Sequence, residues 1–212
     1  GVNYEYTSPL QVYRVGIDPV DSNKQWVADA TGCLGFVEDD TNEFTPVAAF
    51  FDSIIGILKI SDLVVTNSYV YVAVVPTIYS ESVVYKIPRT QTDYEAHDEN
   101  SPAAIFTGDV IRMCRTSDGL YWIRMQILSG TRQDAKDNGA FEFELCHFNT
   151  SSETETVLLE AIIEPDGDGR YAPFSLTEGP DGLIWVLKTL NKYYIMNYTD
   201  EGSLPTASGG PP

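Results

Sequence analysis

Basic residues are scarce in this 212-residue chain: 13 Lys and Arg stand against 31 Asp and Glu, for a formal net charge of -18 and a pI near 4.2. Nucleic-acid backbones and anionic membrane surfaces repel such a protein, so no nucleic-acid partner is expected. Histidine is rarer still, with His97 and His147 alone. Three cysteines, Cys33, Cys114 and Cys146, are an odd number without CxxC spacing, which argues against a complete disulfide framework or a zinc knuckle and reads as buried thiols. No window reaches the run of roughly 18 uncharged apolar residues that a helical membrane span needs, and Gly1–Pro9 has no basic region followed by an apolar one. No membrane insertion is expected. The first residue is Gly1, not Met, which fits a processed form or a piece excised from a longer chain. Also missing are the GxSxG elbow, the phosphate-cradling GxxxxGK[ST], a GxGxxG after a strand, and HExxH.

What is abundant is apolar and aromatic: 43% hydrophobic residues, with 13 Tyr, 9 Phe and 3 Trp, enough for a packed core and too many for a disordered polymer. A short pattern recurs four times, in Ser22–Val27, Asn67–Val72, Asp118–Ile123 and Asp181–Val186. Its aromatic anchors are Trp26, Tyr71, Trp122 and Trp185, separated by 45, 51 and 63 residues. Those intervals approach the roughly 40 to 50 residues of a four-stranded propeller blade, the last one stretched by an insertion.

Each unit offers three β-rich runs: Val12–Ile17, Ile54–Ile60, Val110–Cys114 and Ala172–Leu176 before the anchor; the anchor strand itself, such as Tyr69–Val75 or Leu183–Leu187; and Cys33–Val37, Ser82–Ile87, Phe141–Phe148 and Tyr193–Tyr198 after it. Fourth strands are predicted at Thr45–Phe51, Ala103–Phe106 and Thr156–Ile163. In the third unit Tyr121, Ile123, Met125 and Ile127 lie on one strand face while Leu120 and Trp122 lie on the other, so both faces require cover. That pattern fits sheets stacked face to face around an axis. The fold class is therefore all-β, a β-propeller or propeller fragment of about four units over residues 1–202, with a Gly/Pro-rich tail or linker at 203–212; a β-sandwich is the alternative. A leftover run, Val2–Tyr6, would complete the last unit if the ring closes, and an open arc from a larger propeller is the other arrangement.

The stretch Glu178-Gly179-Pro180-Asp181-Gly182-Leu183-Ile184-Trp185-Val186, followed by Asn191–Ile195, resembles a blade of the large propeller group that includes two-component sensor propellers and virginiamycin B lyase-like proteins. Asp118–Ile123 resembles the same motif; the other two units match loosely, without the Asp-Gly pair. The resemblance implies architecture and not a particular job. The lyase-like members use a metal and a catalytic His. Here His147 falls in the apolar run Phe141–Phe148 and reads as a strand residue with a satisfied ring, and His97 lies in Tyr94–Asn100, which reads as a solvated acidic loop. No catalytic residue is assigned.

Four segments carry candidate chemistry. Glu164, Asp166 and Asp168 place oxygen ligands at alternate positions before Gly169, as in the first half of a calcium loop, but the twelfth position is Ser175 where a bidentate Glu belongs; turn formation is the competing reading. Val37–Glu43 and Asp93–Asn100 cluster carboxylates in what read as solvated loops. The insertion Ser129–Gly139, with Arg132, Lys136 and Asp137, is the leading candidate for a partner contact. The resulting expectation is a non-enzymatic binding module that contacts a protein or glycan through propeller loops, needs no cofactor beyond possible calcium, and works in an extracellular, periplasmic or virion-surface setting. A structural virion component, such as a phage tail or head fibre domain assembled into a larger complex, is the alternative, and a metal-assisted lyase or hydrolase the third reading.

Overall fold

A computed structural model describes residues 12–29, 31–40, 43–52, 56–57, 59–75, 82–117, 119–131, 141–160, 172–179, 182–188 and 193–198. All regular structure among them is strand. The first sheet runs β1 (Val12–Ile17), β2 (Lys24–Asp29), β3 (Cys33–Glu38) and β4 (Phe44–Asp52), with short β5 (Gly56–Ile57) turned back on the end of β4. In the second, β6 (Lys59–Val65), β7 (Tyr69–Val75) and β8 (Val83–Pro88) precede a detour: β9 (Glu95–His97) returns to the first sheet and pairs parallel with β4 before β10 (Ala104–Thr107) completes the second sheet at β8. The third sheet is β11 (Asp109–Arg115), β12 (Leu120–Ile127), β13 (Phe141–Asn149) and β14 (Thr154–Leu159), and the fourth is β15 (Ala172–Gly179), β16 (Gly182–Lys188) and β17 (Tyr193–Tyr198). Among the described residues the protein is all-β, with four mainly antiparallel sheets of propeller type.

The innermost strands pack in series, β1 on β6, β6 on β11 and β11 on β15. Among the described residues no packing of that extent joins β15 to β1. The described sheets therefore form an open arc. Val2–Tyr6, the run expected to close the ring, lies outside the described residues.

Three apolar clusters fill the three gaps between sheets. Trp26, Ala28, Leu34 and Phe36 of the first sheet meet Leu63, Val70, Val72 and Val74 of the second. Tyr71, Ala73 and Val84 meet Met113, Trp122 and Phe148 across the second gap. Tyr121, Ile123 and Leu145 meet Leu176 and Leu183 across the third. Thus β12 sends Leu120 and Trp122 back to the second sheet and Tyr121, Ile123 and Met125 forward to the fourth, the two-sided burial read from its sequence. Gly16 is held small by the same packing, because a Cβ there would run into the side chains of Leu63 and Val65.

The register corrects two sequence-level expectations. The strand expected at Ile54–Ile60 is instead β6, Lys59–Val65; the Ser61-Asp62 pair interrupts its apolar pattern. The repeat anchors also shift. Counting from the irregularity in each inner strand, Ala28, Ala73, Ile123 and Val186 are equivalent, which aligns Trp26 and Tyr71 with Tyr121 and Ile184. Trp122 is one residue further on, and one residue in a strand exchanges the two faces. Trp26 and Tyr71 accordingly face the following sheet and Trp122 the preceding one. The side chain of Trp185 lies outside the described residues.

Polar ties cross the same gaps. Asp18, at the end of β1, is buried, accepts from the Val20 and Asp21 backbone amides and from Trp26 Nε1 at 3.1 Å, and pairs with Arg89 of the second sheet at 3.1 Å. Burial is the largest influence on its carboxyl and pushes the pKa up, but those four donors together hold it below 3.8. The Lys24 ammonium sits beside this tie, 3.5 Å from the Phe36 ring centroid and 4.8 Å from that of Trp26. Across the second gap Lys86 reaches Glu153 at 2.9 Å. Within the third sheet Arg124 bridges Glu144 and Glu155, and Trp122 Nε1 donates to Glu155 at 2.7 Å.

Trp122→Ala should therefore cost about 3 to 5 kcal/mol in urea unfolding, through lost packing and the lost hydrogen bond to Glu155; a loss below about 1 kcal/mol would contradict the inter-sheet placement. Asp18→Asn should cost about 3 kcal/mol at pH 7 by leaving Arg89 unpaired. Because the folded-state pKa of Asp18 lies below its ordinary value, that contribution is complete above pH 3.8 and is lost as pH falls through the folded value. Melting curves of the two proteins should converge only below that pH.

Candidate functional site

All four inner strands carry the same irregularity. Pairing with the neighbouring strand skips one residue between Val12 and Arg14 in β1, Ile60 and Asp62 in β6, Val110 and Arg112 in β11, and Pro173 and Ser175 in β15. The extra residues are Tyr13, Ser61, Ile111 and Phe174. A bulge bends its strand and re-aims the side chains around it, a device frequent next to binding sites. Arg14, Asp62, Arg112 and Ser175 follow the four bulges at equivalent register positions.

The first three of these converge. Arg14 Nε lies 3.4 Å from Asp62 Oδ1 and donates to the Ser61 carbonyl at 2.9 Å, so one guanidinium spans β1 and β6. Asp62 Oδ2 accepts from the Met113 amide at 2.9 Å, and Oδ1 from the Leu63 amide at 3.1 Å. Arg112 acts on the same carboxylate from β11 and donates to the Ile111 carbonyl at 2.6 Å. Ser61 Oγ contributes a further tie, bonded to the carbonyls of Ala73 and Val110 at 3.1 and 3.0 Å. Arg14 also lies over the Tyr13 ring, 4.5 Å from its centroid.

Burial raises the Asp62 pKa above 3.8, although the Met113 amide and both arginines pull it down. Burial likewise lowers the Arg112 pKa, with Asp62 opposing. Arg14 is thus ion-paired with a largely buried carboxylate on the inner edge of the arc, and the Arg112 guanidinium acts on the same carboxylate electrostatically. In a chain with 13 basic residues and a net charge of -18, this is a cationic spot inside an acidic protein. A guanidinium presents five donors in a fork that suits carboxylate and other planar oxyanions.

The residues nominated from sequence fall elsewhere. Arg132, Lys136 and Asp137, and the calcium candidates Glu164, Asp166 and Asp168, all lie outside the described residues. No group of three metal-ligating side chains occurs among the described residues. His97 is not in a solvated loop: it is buried in β9, its ring stacked on Phe50 at 5.8 Å, with Nδ1 2.8 Å from Ser101 Oγ. Parallel pairing to β4 is what recruits Glu95–His97 into a sheet despite the acidic sequence around it. His147 is a strand residue, 4.8 Å from the Tyr121 ring, but its Nε2 is buried without a hydrogen-bond partner among the described residues, so the expected satisfied ring is not found. Cys33, Cys114 and Cys146 are buried as expected, and burial, reinforced by Glu155, pushes the Cys146 thiol up.

Sequence reasoning did not single out Arg14, Asp62 and Arg112. Their signal was a charged residue in the middle of three β-rich runs at nearly constant spacing, positions 14, 62 and 112.

No protein-family model matches this chain, and no curated protein matches it. Among solved structures it is similar to the WD40 domain of Neurospora crassa Pan2, with a TM-score of 0.55 and 9% identity over 95% of this chain and 53% of that one. It is also similar to an auxiliary nutrient binding protein from Bacteroides thetaiotaomicron, with a TM-score of 0.54 and 9% identity over 93% of this chain and 41% of that one. At such identity the likeness shows the fold alone. The chain spans about half the length of these structures.

Because the folded-state pKa of Asp62 is raised, the folded protein takes up more protons than the unfolded chain between that value and 3.8, and stability should rise as pH falls through the window. Asp62→Asn cannot titrate and should lack this gain. Parallel pH-stability curves for the two proteins would contradict the burial of the carboxylate.

Proposed function

We propose that this chain is a non-enzymatic interaction module whose axial cluster receives an acidic group from a protein or glycan partner. The supporting observation is the ion pair of Arg14 with Asp62 together with the electrostatic pull of Arg112 on the same carboxylate, the three residues coming from three successive inner strands. A carboxylate presented by the partner would meet donors already oriented by the Ser61 and Ile111 carbonyls, at little further cost in side-chain ordering. Protein and glycan binding are both within reach of such a site, because peptide side chains and uronic acids present the same planar oxyanion. The segment with Arg132, Lys136 and Asp137 is proposed as an additional contact, and an extracellular, periplasmic or virion-surface setting as the place of action.

Thermal unfolding with short probes tests this reading. Tetraglutamate and digalacturonate carry the anion without the length that the protein's overall negative field would repel. Each, at about 100 times its dissociation constant, should raise stability by roughly 2.7 kcal/mol and the midpoint by several degrees. A neutral maltose control should not, and Arg112→Gln should remove the shift. Equal shifts with maltose, or none with either acid, would overturn the axial site.

A further inference from the structure

Asp62 takes its hydrogen bonds from backbone and only charge from the arginines beside it. Its Oδ2 accepts from the Met113 amide at 2.9 Å and its Oδ1 from the Leu63 amide at 3.1 Å. Arg14 Nε lies 3.4 Å from Oδ1 and gives its hydrogen to the Ser61 carbonyl at 2.9 Å, whereas a charge-assisted N–H···O bond to a carboxylate runs at about 2.7 to 2.9 Å. Arg14 Nη1 donates to the Tyr13 carbonyl at 3.0 Å. A guanidinium carries five N–H donors, so these two bonds leave others on Arg14 for a further acceptor. The Arg14 side chain is 26% exposed against 14% for Asp62, so the cation is the more accessible member of the pair.

The charges that face Asp62 among the described residues come from two neighbouring strands. β1 brings Arg14 and β11 brings Arg112, while Ala73, the partner of Asp62 on β7, carries none. Arg112 in turn responds to Asp62, Arg14 and Tyr13. The cluster therefore holds one net positive charge while Asp62 is ionised and two once Asp62 is protonated. Burial, the largest influence on this carboxyl, favours the protonated form.

We infer that Asp62 is a built-in competitor for the anion this cluster receives: ionised, it offsets one of the two guanidinium charges, and on taking up a proton it yields both to the incoming group, so that binding tightens on acidification. The inference rests on the reading of the cluster as an anion site and adds its regulation. Its sign follows from linkage. A negative group bound beside Asp62 disfavours the ionised carboxylate and raises its affinity for a proton. By reciprocity, a proton on Asp62 raises the affinity for the anion by the same factor. The Leu63 and Met113 amides stay in place through the exchange, because they belong to the strand backbone, so gaining the proton changes the charge of the cluster without moving its frame.

Nitrate is a planar oxyanion whose own charge does not change on mild acidification, so its binding reports the site and not the titration of the probe. Followed through the arginine side-chain resonances in NMR, its affinity for the wild-type chain should rise as pH falls. Acid also discharges the surface carboxylates of a chain at -18, and Asp62→Asn reads that general part. The variant should bind nitrate about tenfold more tightly than wild type at pH 7, and the two affinities should converge as pH falls through the folded-state value of Asp62. A second reading needs no variant: the titration midpoint of the Asp62 carboxyl carbon in the wild type should move up when nitrate is added. Equal affinities at pH 7, or an Asp62 midpoint that bound nitrate leaves in place, would overturn the inference and leave the anion site standing. Weaker binding by a folded Asp62→Asn chain would overturn it too, by making Asp62 a support for the arginines and not their competitor. Failure of both proteins to bind nitrate or digalacturonate at every pH would remove the anion site itself and the inference with it.

Discussion

Face-to-face packing of one sheet on the next is the constraint from which the other features follow. Because every internal sheet is covered on both sides, its second strand cannot alternate apolar with polar, and β7 and β12 are buried along nearly their whole length. Because the sheets fan around an axis, their inner strands crowd together and their outer strands diverge. Crowding places Gly16 against Leu63 and Val65, whose side chains would have to shift to admit a Cβ there. It also concentrates whatever polar groups the inner strands carry, and the chain answers with a bulge in every inner strand and a carboxylate ion-paired with Arg14 and acted on by Arg112. Each ion is partly withdrawn from solvent, but none is left alone, which is the condition under which such groups are tolerated.

Most of the strand inventory was legible in the sequence, since β-rich runs bounded by turn residues mark β1, β7, β8, β13 and β17 almost residue for residue. The stacking of sheets was legible too, from apolar residues on both faces of β12. Three things were not. The true alignment of the repeat was hidden because Trp122 stands beside Tyr121, the real counterpart of Tyr71, and a one-residue slip exchanges faces while leaving composition unchanged. The inner strand of the second sheet was displaced because Ser61 and Asp62 look like a break, when the bulge turns them to the axis. β9 was missed because parallel pairing to the rim of another sheet leaves no local periodicity in a three-residue strand.

The axial cluster was invisible for the same reason that makes it interesting. Charged residues in β-rich runs read as solvent-facing, and only the register shows that positions 14, 62 and 112 are equivalent and that their side chains converge. The outlying carboxylates and loops, which draw the eye in a chain this acidic, carry no shared geometry among the described residues.

The detour through β9 couples two sheets in a way the others lack. Its three residues hydrogen-bond to β4 on the outer rim of the first sheet, while the chain on either side belongs to the second, and Gln91 donates to the Val47 carbonyl along the same path. The first gap is thus fastened at its outer rim by backbone as well as by side chains. Separating those two sheets requires breaking strand pairing, whereas among the described residues the third and fourth meet through apolar surfaces. Local opening under stress should follow that gradient, so that the first half of the arc exchanges its amide hydrogens as one cooperative block and the last sheet frays ahead of it.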